Sequence, residues 1–345
     1  MILSHYSSLW TVLWIFCATI AREHDHHDRM DEFLAMFQSK PHGIYRNYTG
    51  PLLSANEEGT LTFNCLKLFE ERALTPVTWP PPETMPDHLR QYYTMGEQIP
   101  TRTRYLKEAQ NGGRGYNWTA RMIEIFMKRP NTCGQYRNEV CHTIIKRFAK
   151  NYIVGKRGAV VGSQSPWAEA ALLSAGAVHL TTIEYMNITS HHSQLHALRP
   201  EEVAAAFLGR HWEPLDFIFC YSSIEHDGLG RYGDPLNPFA DLEAVAKMNC
   251  LLKPGGVLFL GFPFGPDEVV WNSHRIYGKT RLLPMLSFWR FVSFDGKMHD
   301  SSGRNAQPIF VLQREEQLEK QHTALYFPRH AADTSSNSSS NMNDE

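Results

Sequence analysis

The sequence predicts an α/β fold in which a doubly wound, mostly parallel sheet of seven strands ends in an antiparallel pair. From Gly155 onward, short apolar stretches alternate with stretches of helical periodicity, a pattern typical of a parallel sheet with helices on both faces. The last two apolar stretches have no helix between them, and such neighbours pair antiparallel. The predicted strands are 158–161, 178–185, 194–198, 215–221, 257–262, 288–294 and 308–312, and the predicted helices of this region are 166–175, 200–208, 242–252 and 275–286.

The patterning divides the chain into four segments. Residues 1–21 are predicted to be a signal peptide or a signal anchor, and residues 22–150 a helical N-terminal extension. Residues 151–314 form the α/β domain, and the Ser/Asn-rich residues 315–345 form a disordered tail. Within the extension we expect helices at 30–37, 61–74, 121–128 and 137–150, and a proline-rich extended linker at 79–86.

Composition excludes some classes of partner. The chain has 345 residues, 42% of them apolar, which is enough for a sizeable core. Its formal net charge is −2 and no long run of like charge occurs, so the sequence offers nothing to attract nucleic acid. No Cys spacing resembles a zinc site. The histidine-rich residues 24–28 could bind copper or nickel at a new N-terminus, but a solvated tail is the preferred interpretation, and we predict that no metal is bound.

The N-terminal apolar run, residues 9–21, has the length of a signal-peptide core and is short for a span of about 20 residues. A retained signal anchor and a buried helix remain alternatives, since no Lys or Arg precedes the run. We therefore expect a secreted or lumenal protein, with membrane contact only if the segment is an uncleaved anchor.

Glycosylation sequons begin at Asn47, Asn117, Asn187 and Asn337 and agree with secretion. Some such triplets occur by chance, and Asn187 follows a predicted core strand, where a glycan has less room.

Beyond Cys17 the chain has five cysteines, an odd number that leaves one thiol free or paired between chains. Cys133 and Cys141 flank a short turn and are the best candidates for a bridge. Cys220 and Cys250 lie in apolar runs and are expected to be plain core residues.

Polar residues and glycine follow several of the predicted strands, where open α/β sheets bind ligands. Gly162 ends the first strand, and glycine permits close approach of a ligand to the backbone. Glu184 ends the second strand, where an acid can accept the ribose hydroxyls of a nucleoside. The fourth strand stops at Ser222, and Glu225 and His226 follow it. A tight turn at Gly162 and a surface role for Glu184 remain the plainer alternatives.

These features resemble the class I S-adenosylmethionine-dependent methyltransferases over roughly residues 156–312. The Leu-Lys-Pro-Gly-Gly turn at 252–256 and the antiparallel ending carry the resemblance further. More narrowly, the motifs GLGRYGDP (228–235) and HRIYG (274–278) look like an uncharacterised family of domain-of-unknown-function proteins on this fold. The chain departs from the methyltransferase pattern in its first loop, where Gly162 stands alone.

The resemblance implies S-adenosyl-L-methionine as cofactor, held by Gly162, Ser163, Ser165, Glu184 and Ser222. The two serine hydroxyls of the first loop would donate hydrogen bonds in place of the missing glycines.

The resemblance also implies a catalytic role for His226, as the base that deprotonates an acceptor, with Glu225 as a second base or as the group that orients the imidazole. A cap on the Gly-rich loop is the plainer role for both residues.

Four residues on the rim are candidates for binding the acceptor: Arg231, His274, Arg275 and Tyr277. An arginine here could clamp a carboxylate or phosphate. Ion pairs of Arg231 or Arg275 with Asp234, which would hold the loops together, are an equal alternative.

We expect methyl transfer to a small molecule or glycan in the secretory pathway. A non-catalytic secreted glycoprotein that retains the fold is the alternative, and another nucleotide-binding enzyme, such as an oxidoreductase, is the third hypothesis.

Overall fold

The computed structural model describes residues 48–56, 60–70, 80–106, 115–128, 134, 139–296 and 307–315. The predicted signal segment, the predicted helix 30–37, the sequons at Asn47 and Asn337 and the predicted tail beyond Glu315 lie outside these residues. All described residues belong to one compact unit. Within the described ranges, no helix is both long enough and apolar enough to cross a membrane.

Strands and short helices alternate along the described chain. The strands are β1 (Leu53–Ala55), β2 (Leu61–Phe63), β3 (Thr101–Thr103), β4 (Tyr116–Trp118), β5 (Arg157–Val161), β6 (His179–Ile183), β7 (Ile188–Ser190), β8 (Leu195–Leu198), β9 (Leu215–Tyr221), β10 (Leu252–Gly261), β11 (Glu268–Trp271), β12 (His274–Ile276), β13 (Trp289–Asp295) and β14 (Ile309–Arg314). The helices are α1 (Cys65–Glu70), α2 (Asp87–Tyr93), α3 (Ala120–Met127), α4 (Val140–Phe148), α5 (Trp167–Ser174), α6 (Pro200–Leu208), α7 (Ala240–Leu251) and α8 (Lys279–Leu286).

The central sheet has seven strands in the order β13-β14-β10-β9-β5-β6-β8. The pairs from β10 to β8 are parallel, whereas β14 runs antiparallel to both β10 and β13. This arrangement confirms the predicted doubly wound sheet with an antiparallel ending, and it is the strand order expected of a methyltransferase-like fold. The antiparallel pair arises because β13 and β14 follow each other without a crossover helix.

The core lies on the two faces of the central sheet. β9 is buried at every position except the half-buried Asp216, as expected for a strand with helices on both sides. On one face, α4 and α5 contribute Ile144, Phe148 and Leu172, which pack in a single apolar cluster with Phe219 of β9. The predicted strand 215–221 therefore coincides with the observed strand, because its apolar side chains are buried on both faces of the sheet.

Two expectations about local structure are wrong. The predicted helix 275–286 starts only at Lys279, because His274–Ile276 pairs with β11 as strand β12. The predicted turn at 253–256 lies inside β10, where the register with β9 is irregular between Leu252 and Val257. Gly255, at a φ of 75°, supplies the left-handed backbone that this irregularity requires.

The N-terminal extension packs onto the α/β domain through α1. The predicted helix 61–74 is instead strand β2 followed by α1, whose Phe69 ring lies 4.2 Å from the ring of Phe207 on α6. The helices predicted at 121–128 and 137–150 correspond to α3 and α4.

A disulfide between Cys65 and Cys250 joins α1 to α7. The expectation that Cys250 is a plain core residue is therefore wrong, although its side chain is buried. Cys220 is free and buried, as predicted. Cys141 is also in a disulfide, and its predicted partner Cys133 lies outside the described residues.

Candidate functional site

The carboxyl ends of the neighbouring strands β6, β5 and β9 meet at one edge of the central sheet and open into a single cavity of about 1760 Å³. Its described lining includes five of the residues predicted from the sequence: Gly162, Ser165, Glu184, Ser222 and His226. Ligand pockets commonly have volumes of roughly 300–1,000 Å³, so this cavity has room for more than one small ligand.

The space above Gly162 is occupied by the side chain of Ser223. Gly162 has a φ of 78°, and a Cβ built on it would lie 2.0 Å from Ser223 Oγ. The position therefore requires glycine for two reasons, its left-handed backbone and the close approach of a serine from the end of β9. The side chain of Ser223 thus occupies the side of Gly162 where a Cβ would stand, while the half-buried Gly162 still lines the cavity.

Ser163 faces the protein interior, and it is absent from the cavity lining. Its Oγ lies 2.8 Å from the carbonyl oxygen of Ser165 and 3.0 Å from Oε2 of the fully buried Glu169. The other oxygen of Glu169 accepts a hydrogen bond of 2.8 Å from Thr182 Oγ1 on β6. Glu169 thus fastens the loop after β5 to the neighbouring strand β6.

The number of hydrogen-bond donors in this network favours a protonated Glu169. The Ser163 hydroxyl has one hydrogen, and the carbonyl of Ser165 is its closer acceptor. A carboxylic acid at Glu169 then donates to Ser163 Oγ, and every polar atom of the network is satisfied. Burial raises the pKa of Glu169 to about 7, in agreement with this assignment.

The Glu184 carboxyl stands on the cavity wall just beyond β6. Its Oε1 accepts a hydrogen bond of 2.8 Å from the backbone N–H of Tyr185. Burial raises the pKa of Glu184, and hydrogen bonds from the N–H groups of Tyr185 and Met186 limit that rise. A carboxylate has lone pairs for about four hydrogen bonds, so Glu184 retains the capacity to accept hydroxyl donors from a ligand.

Ser222, Glu225 and His226 are close together at the end of β9. Ser222 has a left-handed φ of 52°, uncommon for a residue with a side chain, and its hydroxyl donates to Glu225 Oε1 at 2.6 Å. Glu225 is 1% exposed, and its Oε2 has no hydrogen-bond partner among the residues that the structure describes. Burial raises the pKa of Glu225 to about 7.

The imidazole of His226 is oriented by the backbone. Its Nδ1 lies 2.7 Å from the carbonyl oxygen of Ser273, which can only accept, and 3.4 Å from Arg231 Nη1, which can only donate. The shorter contact favours the tautomer of the neutral ring with its proton on Nδ1. Nε2 then has a free lone pair and lies 3.6 Å from Glu225 Oε1. Burial, with smaller contributions from Arg231 and His274, lowers the pKa of His226 to about 3. The ring is therefore neutral at physiological pH.

Arg275 and Tyr277 lie in a buried ion cluster centred on Asp241 of α7. Arg281 donates to both carboxylate oxygens of Asp241, Tyr277 donates to Oδ2 at 3.1 Å, and Arg275 Nε lies 3.6 Å from Oδ2. Both arginines are 2% exposed. Burial pushes the pKa of Asp241 upward, but the two arginines outweigh it and hold that pKa below its usual value.

This cluster brings the two sequence motifs together. Arg275, from HRIYG, donates to the backbone oxygen of Asp227 at 2.6 Å, just before GLGRYGDP begins. The hydroxyl of Tyr93 donates to the backbone oxygen of Gly228 at 2.5 Å. Neither Arg275 nor Tyr277 belongs to the described cavity lining: Arg275 contacts the loop that borders the cavity, and Tyr277 contacts Asp241.

Arg231 and His274 also lie outside the described lining. Arg231 donates to the carbonyl oxygen of Ser273 at 3.3 Å, and its guanidinium lies 4.8 Å from the ring of Tyr232, which does line the cavity. His274 shares a hydrogen bond of 2.8 Å with the Ser273 hydroxyl. Burial, followed by Arg102, lowers the pKa of His274 to about 4. Acceptor binding by these residues stays a prediction.

The cavity wall is acidic, a feature that sequence reasoning missed. Asp234 is 8% exposed and accepts from the N–H groups of Gly230 and Tyr232, so the loop itself holds one of the carboxylates. Burial, then the neighbouring Asp234, raises the pKa of Asp227. No cluster of potential metal ligands occurs among the described residues. The described lining carries the carboxyl groups of Glu70, Glu184, Glu201, Asp227, Asp234 and Glu243 and the ammonium group of Lys247.

Comparisons with known proteins give a family match and resemblances at the level of the fold. A family model described as "Caenorhabditis protein of unknown function, DUF268" matches residues 155–327. No curated protein matches the chain in sequence.

Among solved structures, the chain is similar to a Burkholderia thailandensis 1,6-didemethyltoxoflavin-N1-methyltransferase with bound S-adenosylhomocysteine, at 12% identity and a TM-score of 0.36, over 53% of this chain and 82% of that one. It is also similar to a SAM-dependent methyltransferase from Methanosarcina mazei, at 14% identity and a TM-score of 0.34, over 49% of this chain and 97% of that one. Similarity this low says nothing about activity.

Replacement of Glu169 by Gln tests the protonation of the buried network. Because burial raises the folded-state pKa from 4.5 to about 7, the wild-type protein loses stability as pH rises through this window. Glutamine keeps both hydrogen bonds and does not ionise. E169Q is therefore expected to exceed wild type by about 1–3 kcal/mol at pH 8 and by much less at pH 5, measured by urea unfolding. The exposed E124Q on α3 is the control, and a deficit that is equal at both pH values would contradict the assignment.

Replacement of Asp241 by Asn tests the ion cluster. The change leaves two buried guanidinium groups without a counter-ion, and we expect a loss of about 3–5 kcal/mol in the free energy of unfolding. The matched control is D216N, which removes a carboxylate paired with the half-exposed Lys253 and should cost about 1 kcal/mol or less. Equal effects in urea titrations of the two variants would contradict a special role for Asp241.

Proposed function

Because the chain belongs to the family described as "Caenorhabditis protein of unknown function, DUF268", whose description names no activity, we propose its function from the site itself. The proposed function is S-adenosylmethionine-dependent methyl transfer to a hydroxyl group of a small molecule or glycan in the secretory pathway. The observation that carries the proposal is the convergence of Glu184 and the neutral His226 on one large cavity at the carboxyl edge of the sheet.

The residues at this edge fit the nucleoside part of the cofactor. The Glu184 carboxylate has the capacity to accept ribose hydroxyls, and Ser165 lines the same cavity. Ser222 gives its hydrogen to Glu225, so it would meet a ligand as an acceptor only. Gly162 also lines the cavity, with Ser223 packed against the side where a Cβ would stand.

Bound S-adenosylmethionine supplies an activated methyl group on a positively charged sulfonium. Burial favours the neutral form of Asp227, so the exposed carboxylates of the wall, Glu70 and Glu201, are the groups that favour a cationic ligand and disfavour acceptors that carry phosphate or carboxylate groups. A neutral acceptor that carries a hydroxyl group is compatible with these carboxylates. A nucleic acid, whose phosphates are negatively charged, is not, and we propose none as a partner.

His226 is the proposed base. Its Nδ1–H is fixed by Ser273, so the Nε2 lone pair is available to accept the proton of an acceptor hydroxyl. A pKa of about 3 makes the isolated ring a weak base. The carboxyl group of Glu225, 3.6 Å from Nε2, would stabilise the protonated ring once it forms. A base positioned in this way commonly contributes about 10²–10⁴-fold to a rate.

The secretory location is supported by the Cys65–Cys250 disulfide and by the second disulfide at Cys141, since disulfides persist in oxidising compartments. Membrane contact would require that the N-terminal apolar run be retained as an anchor. The non-catalytic glycoprotein remains the second candidate, favoured by the close packing of Ser223 against Gly162, which leaves less room for a ligand at this loop.

Calorimetry with S-adenosylmethionine tests the proposal. We expect the wild-type protein to bind, and E184Q to bind about 10–100-fold more weakly, because a hydrogen bond to a charged acceptor contributes about 1.5–3 kcal/mol. H226Q should retain binding and lose about 10²–10⁴-fold in methyl transfer to a panel of neutral sugars. The control is E124Q, whose exposed carboxylate lies far along the sequence from the site.

If the folded wild-type protein binds no S-adenosylmethionine, the proposal of methyl transfer is contradicted and the non-catalytic glycoprotein is favoured. Binding unchanged by E184Q would contradict the ribose assignment alone.

A further inference from the structure

Two of the sequons lie side by side on one small sheet. Strand β4 contains Asn117, and Asn187 immediately precedes β7, its parallel partner. In the pairing of these strands Asn117 lies opposite Thr189, the last residue of the second sequon. The N–H of Tyr116 donates to the backbone oxygen of Asn187 at 2.7 Å, which fixes the position of the second asparagine at the same edge.

The period of a strand decides which way the sequons face. Side chains alternate between the two faces, so the first and third residues of an Asn-X-Thr triplet share a face. Asn117 and Thr119 are exposed, and so are Asn187 and Thr189. The two acceptor asparagines and the two threonines therefore face solvent together.

The opposite face of the same sheet is turned toward the protein. Trp118 is 1% exposed, and Tyr116 belongs to the lining of the cavity. The X residues of both triplets, Trp118 and Ile188, join the core cluster. The sheet thus separates the cavity on its inner side from the sequons on its outer side, and the sequence-based concern about room at Asn187 is not supported by its exposure.

We propose that Asn117 and Asn187 carry N-linked glycans, which cover the outer face of the β4–β7 sheet and leave the cavity open. This inference rests on the proposed secretory location and is independent of methyl transfer. In the modification, the amide nitrogen of asparagine bonds to the anomeric carbon of a lipid-diphosphate-linked oligosaccharide. The bond from that carbon to the diphosphate oxygen breaks, the lipid diphosphate leaves with the electron pair, and the amide loses a proton.

The structure also indicates which substitutions remove a sequon without weakening the fold. The Thr119 side chain caps α3 by accepting from the N–H of Met122 at 3.2 Å, so its loss would weaken the helix as well as the sequon. Asn117→Gln removes the acceptor alone, and Thr119→Ser keeps both the sequon and the cap. Asn187→Gln and Thr189→Ser form the matching pair on the other strand.

The test is expression of the full chain in animal cells, followed by glycosidase digestion in heavy-oxygen water and peptide mass spectrometry. Each occupied asparagine becomes an isotope-labelled aspartate. We expect label at both positions, a mobility step lost in N117Q and another lost in N187Q, and unchanged mobility in T119S and T189S. All four variants should bind S-adenosylmethionine like the wild type if the wild type binds it at all, since the glycans lie on the outer face.

A second version of the chain, with a foreign cleaved signal peptide in place of residues 1–21, separates the two ways of failing. Label that appears only in this version supports the sites and contradicts the native secretory location. A disulfide-bonded lumenal protein with neither asparagine labelled would overturn the inference.

Discussion

The site depends on the buried ion cluster formed by the carboxylate of Asp241 with Arg275 and Arg281. Two arginines and a tyrosine from the segment after β11 converge on this carboxylate, in an environment where an unpaired charge would cost several kcal/mol. Since Asp241 is on α7, the cluster binds β12 and α8 to the helix that leads into β10. Arg275 and Tyr93 donate hydrogen bonds to the backbone of the loop between β9 and α7 and so fix this loop next to the ion cluster.

The ion cluster also affects the position of His226, because it fixes the strand that follows Ser273. The imidazole stands at the start of the loop and is oriented by the carbonyl of Ser273, which immediately precedes β12. A second buried group acts beside β5, where Glu169 links the loop after β5 to β6 through hydrogen bonds with Ser163 and Thr182. Burial raises the pKa of this carboxyl group, whereas the Asp241 cluster is held together by charge.

The sequence predicted the central sheet well, because strand burial and the missing helix before β14 leave clear periodic signals. It also predicted that Gly162, Glu184 and His226 would meet, since parallel strands bring their carboxyl ends to one edge. It did not predict the role of Arg275, because a ligand clamp and a buried ion pair use the same residue type, and only folding brings Asp241 near. Glu169 gave no signal, since an acid in the first turn of a helix is ordinary on the surface.

The fold presents His226 to the cavity as a neutral base with its proton on Nδ1. Nitrogen NMR of the imidazole in isotope-labelled protein, from about pH 5 to about pH 8, measures this state directly. We expect a protonated Nδ1, an unprotonated Nε2 and no titration across this range. A proton on Nε2, or titration near the ordinary value of 6.5, would contradict it.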